Sequence, residues 1–378
     1  MMTRKNTLIT KIIALAVSLF LFSTCVFARE VWTDEQAKQW IAKQKYRAGV
    51  NYIPSYAVNQ IELWQKETFD IKTIDREFAL MRATGFNAVR VFLSDLVFES
   101  NPDGFMERFE EFLKTADKYG IGTMVVFFTN GGTDDAKLGK QVVPSQSHNP
   151  GWKKQPSYSI LGDKSKWGIL EKFVKTVVGK YAKDPRVICW DIFNEPGNIK
   201  SLHIVGGAKN LSDDRIKHLK RCSLDLIRES AEWARSCDPQ QPVTFGLYKY
   251  KGGEEEKIFN PLQISQSDVI SYHTYAPLID HMRIIKKIRK HTSKPIMCTE
   301  WMGRIRGSTF NPILSFHKNN NIWSFPFGFV AGKTQTWRPW PNDDTPEMQG
   351  IWFHDIYKSD HTPYCPEEVE YIKRILGK

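Results

Sequence analysis

Short apolar runs alternate with longer amphipathic stretches along most of the chain, a pattern typical of strands that alternate with helices. Eight of the apolar runs have the length and composition of buried strands. They span residues 46–52, 87–92, 122–128, 187–195, 243–247, 269–273, 295–299 and 323–330. Because these runs are nearly continuous in apolar residues, they predict a parallel sheet that is covered on both faces.

Helical patterns separate most of these strands. They span residues 34–44, 70–84, 105–119, 167–181, 212–236, 311–319 and 366–376, with one more helix after the sixth strand that ends near residue 290. Residues 248–267 read mostly as loop, and residues 130–163 form a long polar loop, which is usually functional or disordered. The alternation predicts an α/β fold, a (β/α)8 TIM barrel with an N-terminal capping segment and long βα loops.

An open, doubly wound sheet is the alternative architecture for the same alternation. A glycine-rich phosphate-binding turn after the first strand would favour it. The sequence at that point is Asn51-Tyr52-Ile53-Pro54, which is not such a turn. The barrel is therefore the preferred prediction, with residues 29–378 as a single domain.

The first 28 residues have the features of a secretory signal peptide. A basic start is followed by an apolar stretch at residues 12–22 and by small residues that end at Ala28. We expect cleavage after Ala28 and export to the periplasm or the extracellular space. The apolar stretch is too short for a permanent membrane span, while acylation at Cys25 stays open.

Charge and cysteine content exclude several classes of protein. The chain carries 53 basic and 42 acidic residues, for a net charge of +11, and the scattered bases do not indicate a nucleic-acid groove. Cys189 and Cys298 lie in apolar strand runs, and Cys222 and Cys237 are too far apart on one helix to bridge. No spacing matches a zinc site. We expect no disulfide framework, metal or cofactor, and a monomer, although the sequence does not determine the oligomeric state.

Catalytic groups of a TIM barrel gather where its strands end, at the C-terminal face. The polar residues predicted there are Asn51, Arg90, Asn130, Asn194, Glu195, Tyr248, His273, Tyr275 and Glu300. Glu195 and Glu300 are the two carboxylates of this set, at the ends of strands four and seven. Paired carboxylates on a rigid frame are what glycoside hydrolysis requires, because one protonates the leaving oxygen while the other attacks the anomeric carbon.

The neighbours of the two carboxylates suit this chemistry. Arg90 can hold Glu300 ionised by its charge, and Tyr275 can donate a hydrogen bond to the same carboxylate. Asn194 can bind a sugar hydroxyl near the reacting carbon. His273 can position Glu195 or the substrate.

Three motifs together resemble glycoside hydrolase family 5 and its relatives in clan A. They are residues 190–196 (WDIFNEP), His273-x-Tyr275 and Thr299-Glu300-Trp301. Residues 329–336 (FVAGKTQT) also resemble a bacterial, cellulase-like subgroup of that family. The resemblance spans nearly the whole chain after residue 28.

The resemblance implies a retaining hydrolase that cleaves β-linked glycans or oligosaccharides without a cofactor. It assigns the acid/base to Glu195 and the nucleophile to Glu300. The residues that match supporting positions of the family are Arg90, Asn194, His273 and Tyr275.

Two departures from the family bear on the substrate. The third strand ends in Thr129-Asn130, where many members have a histidine, and residues 325–328 lack the sugar-stacking tryptophan that is common at the end of the eighth strand. Trp337 or Trp340 is expected to supply that platform, because sugar C–H groups stack on aromatic faces. Trp152 and Trp301 are further candidates for substrate contacts.

Other residues receive secondary predictions. Lys333 and Gln335 are candidates for contacts with substrate hydroxyls. Asp95 and Asp191 are expected either to support residues of the site from behind or to be purely structural, and Trp190 is expected in the barrel core.

Two alternative functions remain for the same barrel. The first is a catalytically inactive carbohydrate-binding protein, which the presence of both carboxylates disfavours. The second is a metal-dependent hydrolase, which needs a cluster of metal ligands at the strand ends, where His273 is the only histidine predicted. The sequence leaves open which β-glycan is cleaved, and whether cleavage is internal or from chain ends.

Overall fold

In the computed structural model, which describes residues 28–199 and 211–377, eight parallel strands pair in the order of the chain. They are β1 (Gly49–Asn51), β2 (Ala88–Phe92), β3 (Gly122–Thr129), β4 (Val187–Asn194), β5 (Val243–Leu247), β6 (Ile270–His273), β7 (Ile296–Trp301) and β8 (Trp323–Pro326). Parallel bridges from Ala48 to Ser324 and from Asn51 to Phe327 bring β1 against β8. The predicted (β/α)8 barrel is confirmed. The predicted signal peptide and Cys25 lie outside the described residues.

Helices connect the strands on the outside of the barrel. They are α1 (Asp34–Ala42), α2 (Gln60–Trp64), α3 (Ile71–Thr84), α4 (Asp95–Ser100), α5 (Pro102–Lys118), α6 (Tyr158–Leu161), α7 (Gly168–Tyr181), α8 (Asp213–Arg235), α9 (Asn260–Ser265), α10 (Leu278–Ile288), α11 (Phe310–Asn319) and α12 (Pro366–Leu376). Thr33 begins α1 with a capping box. The helix then places Trp40 against Trp323 at the N-terminal end of the barrel, as the predicted capping segment requires.

Alternation along each strand divides its side chains between two buried layers. Met124 and Met297 belong to a small inner cluster, whereas Val125, Phe127 and Trp190 join the main core between sheet and helices. Every residue of β2, β3, β4 and β7 is buried, which explains their nearly continuous apolar runs. Polar side chains on the inner face of such strands are therefore expected at the strand ends, where the C-terminal mouth of the barrel gives them access to solvent.

An irregularity in β7 sets the direction of its last residues. β6 pairs Tyr272 with Cys298 but His273 with Glu300, so Thr299 is an extra residue on β7. Glu300 consequently stands beside His273 at the barrel mouth. Trp301 points the other way and joins the main core.

Several predicted boundaries differ from the structure for local reasons. β1 is shorter than the predicted 46–52, and β8 stops at Pro326, two residues before Gly328 takes a left-handed backbone (φ 78°). Residues 248–267 are more regular than predicted, with a π-helical turn (Glu255–Phe259) that leads into α9. The short helices α2 and α4 were not predicted.

The long loop of residues 130–163 folds back along the end of β3. Thr129 bridges to Gln155, and Thr133 bridges to Lys153, before α6 returns the chain to the helical layer. This path places Trp152 over the barrel mouth, in edge contact with Phe92. The loop thus forms one wall of the cavity above the strand ends.

The five cysteines of the described chain are unpaired: Cys189, Cys222, Cys237, Cys298 and Cys365. Within residues 28–199 and 211–377, no helix combines the length and the apolar composition needed to cross a membrane.

Candidate active site

A buried arginine organises the C-terminal end of the barrel. Arg90 is fully buried on β2, and its Nη1 donates to Glu300 Oε1 at 2.9 Å and to Asn51 Oδ1 at 2.7 Å. Its Nη2 donates to Asp191 Oδ2 at 2.7 Å and to Asn194 Oδ1 at 2.6 Å. Burial alone would lower the pKa of Arg90, but the charges of Asp191 and Glu300 raise it above the ordinary value. The guanidinium is therefore a fixed cation between two carboxylates.

Glu300 is held by donors on both of its oxygens. Arg90 donates to Oε1, and the Tyr275 hydroxyl donates to Oε2 at 2.8 Å. Burial and the negative charge of Glu300 raise the pKa of Tyr275 well above its usual range, so the phenol keeps its proton. Charge-assisted hydrogen bonds of this kind stabilise the ionised form of a carboxyl group.

Glu195 has different partners from those of Glu300. It follows β4 with a left-handed backbone (φ 49°), which is unusual for a residue with a side chain. Its Oε1 lies 2.8 Å from His273 Nδ1, and its Oε2 accepts from Asn198 Nδ2 at 2.8 Å. This carboxyl group thus has neutral amide and imidazole neighbours where Glu300 has a guanidinium.

His273 stands between the two carboxylates. Its Nδ1 lies 2.8 Å from Glu195 and 3.6 Å from Glu300 Oε2. Burial, which outweighs the opposing charge of Glu300, lowers the pKa of His273 to about 4. The imidazole is therefore neutral at pH 7, and its Nδ1 shares a hydrogen bond with Glu195 Oε1.

The free energy of unfolding should fall as the pH is lowered from 6.5 towards 4. In this window the unfolded chain binds a proton at residue 273 that the folded chain does not, so the stabilisation is complete above pH 6.5 and is lost as the pH approaches 4. We expect a contribution of about 2 kcal/mol, measured by urea unfolding between pH 7 and pH 4.5. His273→Gln should lose less stability over the same window. An equal loss in both proteins would contradict the assignment.

A cavity of about 410 Å³ lies above these residues. Both carboxylates open into it. Its aromatic lining residues are Phe92, Trp152, Tyr248, Tyr275, Phe327 and Trp340. Its polar lining includes Asn194, Asn198, Lys249, Lys251 and Arg306. Apolar ring surfaces combined with hydrogen-bonding groups suit a polyhydroxylated ligand.

Two of the four tryptophans predicted to contact substrate line the cavity, and two do not. Trp340 lines the cavity, where its ring lies 5.1 Å from that of Tyr275, and Trp152 lines the same cavity beside Phe92. Trp301 is corrected: it is fully buried against Phe310 and His317, because its side chain faces away from that of Glu300. Trp337 is corrected as well, since it lies in a separate surface groove, with the Arg338 guanidinium over its ring and the Trp352 ring tilted 5.5 Å away.

The other predicted residues have structural contacts. Lys333 forms an ion pair with Glu62 at 3.4 Å, and Gln335 donates to the Ser145 carbonyl at 3.0 Å, so neither lines the cavity. Asn130 is buried beneath the turn after β4, where it donates to the Pro196 carbonyl. Asn51 donates to the Thr299 carbonyl at 2.7 Å. The predictions for Lys333 and Gln335 as substrate contacts are corrected on these grounds.

Sequence reasoning missed two groups of residues. Asn198 reaches Glu195 because a turn returns the chain, with the Asn198 amide donating to the Glu195 carbonyl at 2.9 Å. The sequence does offer one signal for this contact, because Asn198 comes three residues after Glu195. Lys249 and Lys251 line the cavity from the loop after β5, and Arg306 lines it from a short 3-10 helix after β7. No sequence pattern indicated the direction of these side chains.

Glu195, His273 and Glu300 could also form a metal site by proximity. One ligand atom from each lies within 4.8 Å of the other two. However, His273 Nδ1 is already in a hydrogen bond with Glu195, and Arg90 already supplies a cation to Glu300. Hydrogen bonding therefore accounts for the arrangement without a metal ion.

Comparisons with known proteins place this geometry in a family. The family model described as cellulase (glycosyl hydrolase family 5) matches residues 45–322. No curated protein sequence gives a significant match.

Similar solved structures include the GH5_18 protein from Streptomyces cattleya in complex with GlcNAc. It is 13% identical, with a TM-score of 0.59 and coverage of 88% of this chain and 81% of that one. The endo-β-1,4-mannanase from Thermotoga petrophila is 13% identical, with a TM-score of 0.53 and coverage of 89% and 77%. The endo-1,4-β-mannanase from Rhizomucor miehei is 15% identical, with a TM-score of 0.54 and coverage of 88% and 95%.

At these identities the structural likeness establishes the fold alone. The family model, by contrast, covers most of the chain and includes both strand-end carboxylates. The chain therefore belongs to glycosyl hydrolase family 5 and is a glycoside hydrolase.

Proposed function

We propose that the protein is an exported retaining β-glycosidase that cleaves β-linked glycans or oligosaccharides by double displacement. Glu300 is the nucleophile and Glu195 is the acid/base. The observation that carries the proposal is that oxygens of these two carboxyl groups lie within 4.8 Å of each other above one cavity. Retaining glycosidases hold their carboxyl groups about 5–5.5 Å apart, whereas inverting enzymes need roughly 6.5–9.5 Å for an intervening water.

The contacts of Glu300 suit a nucleophile. Arg90 donates to one of its oxygens and Tyr275 to the other, which fixes the direction of both. In the first step Glu300 attacks the anomeric carbon, the bond to the leaving oxygen breaks, and a glycosyl ester forms. The buried Arg90 also keeps the carboxylate from rotating away from the cavity.

The contacts of Glu195 suit a proton carrier. It contacts the Asn198 amide and the neutral imidazole of His273, whereas the guanidinium of Arg90 donates to Glu300. In the first step it gives its proton to the leaving oxygen. In the second step it takes a proton from the water that attacks the ester, which returns both carboxyl groups to their starting states.

The configuration of the first-formed product tests the mechanism. Proton NMR during hydrolysis of an aryl β-glycoside should show the β-anomer before mutarotation produces the α-anomer. An α-anomer as the first product would rule out double displacement. The same assay over a panel of β-glucans, β-mannans and β-xylans, with product lengths, would identify the glycan and distinguish internal from terminal cleavage.

Export rests on the pattern of the first 28 residues. The full chain, expressed in a Gram-negative host, should appear outside the cytoplasm with Arg29 as its first residue. N-terminal sequencing of the recovered protein checks this. An uncut chain that begins at residue 1 and stays in the cytoplasm would contradict export.

Trp340→Ala should weaken substrate binding more than it slows the chemical step. The ring lines the cavity beside Tyr275, so its removal takes away apolar surface for a sugar ring. We expect KM to rise about tenfold, with kcat changed less than about threefold, since an aromatic contact contributes about 1 kcal/mol or somewhat more. Steady-state kinetics on an oligosaccharide measure both constants.

Trp337→Ala is the matched control, because this tryptophan lies outside the cavity. It should leave both constants near their wild-type values. A larger effect at Trp337 than at Trp340 would contradict the placement of the substrate.

A further inference from the structure

A second cluster of chemically reactive side chains lies on the opposite side of the sheet from the carboxylates. Tyr272 on β6, Cys298 on β7, His281 on α10 and His317 on α11 meet there. All four side chains are fully buried. The proposed glycosidase mechanism uses none of them.

The polar atoms of this cluster converge on one point. His281 Nδ1 lies 3.2 Å from His317 Nε2, and the Tyr272 hydroxyl lies 3.0 Å and 3.3 Å from these two nitrogens. Cys298 Sγ lies 3.9 Å from His281 Nδ1. Ligand atoms of His281, Cys298 and His317 all lie within 4.8 Å of one another.

We propose that His281, Cys298 and His317, with the Tyr272 hydroxyl as a fourth donor, form a structural site for a tetrahedral transition-metal ion of the Zn²⁺ class. Two nitrogens bound at about 2.0 Å to one tetrahedral ion lie about 3.3 Å apart, and a nitrogen and a thiolate sulfur lie about 3.5 Å apart. The observed distances are close to these values: 3.2 Å between the two histidine nitrogens and 3.9 Å between His281 Nδ1 and Cys298 Sγ. Two imidazoles and a thiolate are also the ligand types that such ions prefer.

The surroundings of the cluster orient its ligands. The outer nitrogen of His317, Nδ1, lies 2.9 Å from Ser324 Oγ on β8, which directs Nε2 towards the centre of the cluster. Hydrogen bonding at the outer nitrogen is how proteins fix a metal-binding histidine. Burial lowers the pKa of His281 to about 3, so its imidazole is neutral and has a lone pair to give.

Binding must release one proton. The Cys298 thiol is protonated in this apolar setting, because burial raises its pKa well above the usual value. A divalent ion replaces that proton, which passes to solvent as the sulfur–metal bond forms. No electron is transferred. Because the cluster is enclosed, the ion enters while the chain folds and then links β6, β7, α10 and α11.

A metal-free network of hydrogen bonds among Tyr272, His281 and His317 is the competing outcome, and metal analysis distinguishes the two. The full chain should be refolded with Zn²⁺ and passed through a desalting column, and its zinc should be counted by mass spectrometry. We expect about one ion per chain. Less than about one ion per ten chains would overturn the proposal.

Zinc content measured in single variants tests where the ion binds. Cys298→Ser and His317→Ala should reduce the zinc content at least fivefold, whereas Cys189→Ser, a matched change at another buried strand cysteine, should not. Glu195→Gln should also keep the ion. Loss of zinc in Glu195→Gln, with retention in Cys298→Ser, would place the metal at the carboxylates and refute the site.

A measurement on the wild-type chain covers the case in which these variants do not fold. Refolding with Co²⁺ should give a thiolate-to-cobalt charge-transfer band and the visible bands of a tetrahedral ion. Cobalt that binds without a thiolate band would refute ligation by Cys298. Neither experiment depends on glycosidase activity, so the failure of one proposal is distinguishable from the failure of the other.

Discussion

Glu300→Gln should reduce turnover of an activated aryl β-glycoside by roughly 10⁴-fold or more, because the amide cannot form the glycosyl ester. The variant keeps the shape of the side chain and the hydrogen bond from Tyr275. It loses the charge that faces Arg90, but Asp191 still pairs with that guanidinium. We therefore expect a folded protein that binds substrate without converting it, checked by initial rates and by circular dichroism.

Glu35→Gln is a matched control, since it makes the same chemical change on α1, at the other end of the barrel. It should retain full activity. Turnover by Glu300→Gln within about tenfold of wild type would exclude Glu300 as the nucleophile.

Glu195→Ala should separate the two steps of the reaction. A substrate with a good leaving group needs no proton, so the first step survives, whereas the second step loses its base. We expect kcat to fall by about 10²–10⁴-fold. A burst of released phenol should precede the slow steady state.

Azide should rescue this variant, because it attacks the glycosyl ester without a base. The product should be a β-glycosyl azide, which NMR identifies. An α-glycosyl azide would indicate a single displacement. Absence of rescue, with a folded variant and a clear burst, would assign the acid/base role to another residue. Asn198→Ala, which removes a donor to Glu195 but keeps the carboxyl group, should show no azide effect.

The sequence predicted the barrel and its central residues because both follow from simple regularities. Strand ends of parallel sheets share one edge, so Arg90, Glu195, His273 and Glu300 had to meet there once the strands were identified. The contacts of Arg90 and Tyr275 with Glu300 are those expected from their charges and donors.

The wrong predictions for cavity residues also have specific causes. Trp301 was predicted beside its neighbour Glu300 in the cavity, although adjacent strand residues face opposite sides of a sheet. The extra residue in β7 then determined which of the two faced inwards. Trp337 and Gln335 lie on a loop whose path depends on long-range contacts such as the one from Gln335 to the Ser145 carbonyl.

The cluster of His281, Cys298 and His317 was also out of reach of sequence reasoning. Its members lie on a helix, a strand and another helix, with none of the short spacings that signal a metal site. Only the packing of α10 and α11 against the sheet brings them together.

The double pairing of Arg90 has a consequence for the course of the reaction. Under the proposed mechanism, Glu300 is negative in the free enzyme but becomes a neutral ester in the intermediate. Arg90 would then be an isolated cation in the protein interior, at a cost of several kcal/mol, if Glu300 were its sole counter-ion. Asp191 at 2.7 Å prevents this. Asp191 thus remains a counter-ion of Arg90 in both states: the three groups carry one net negative charge in the free enzyme and are neutral as a set in the intermediate.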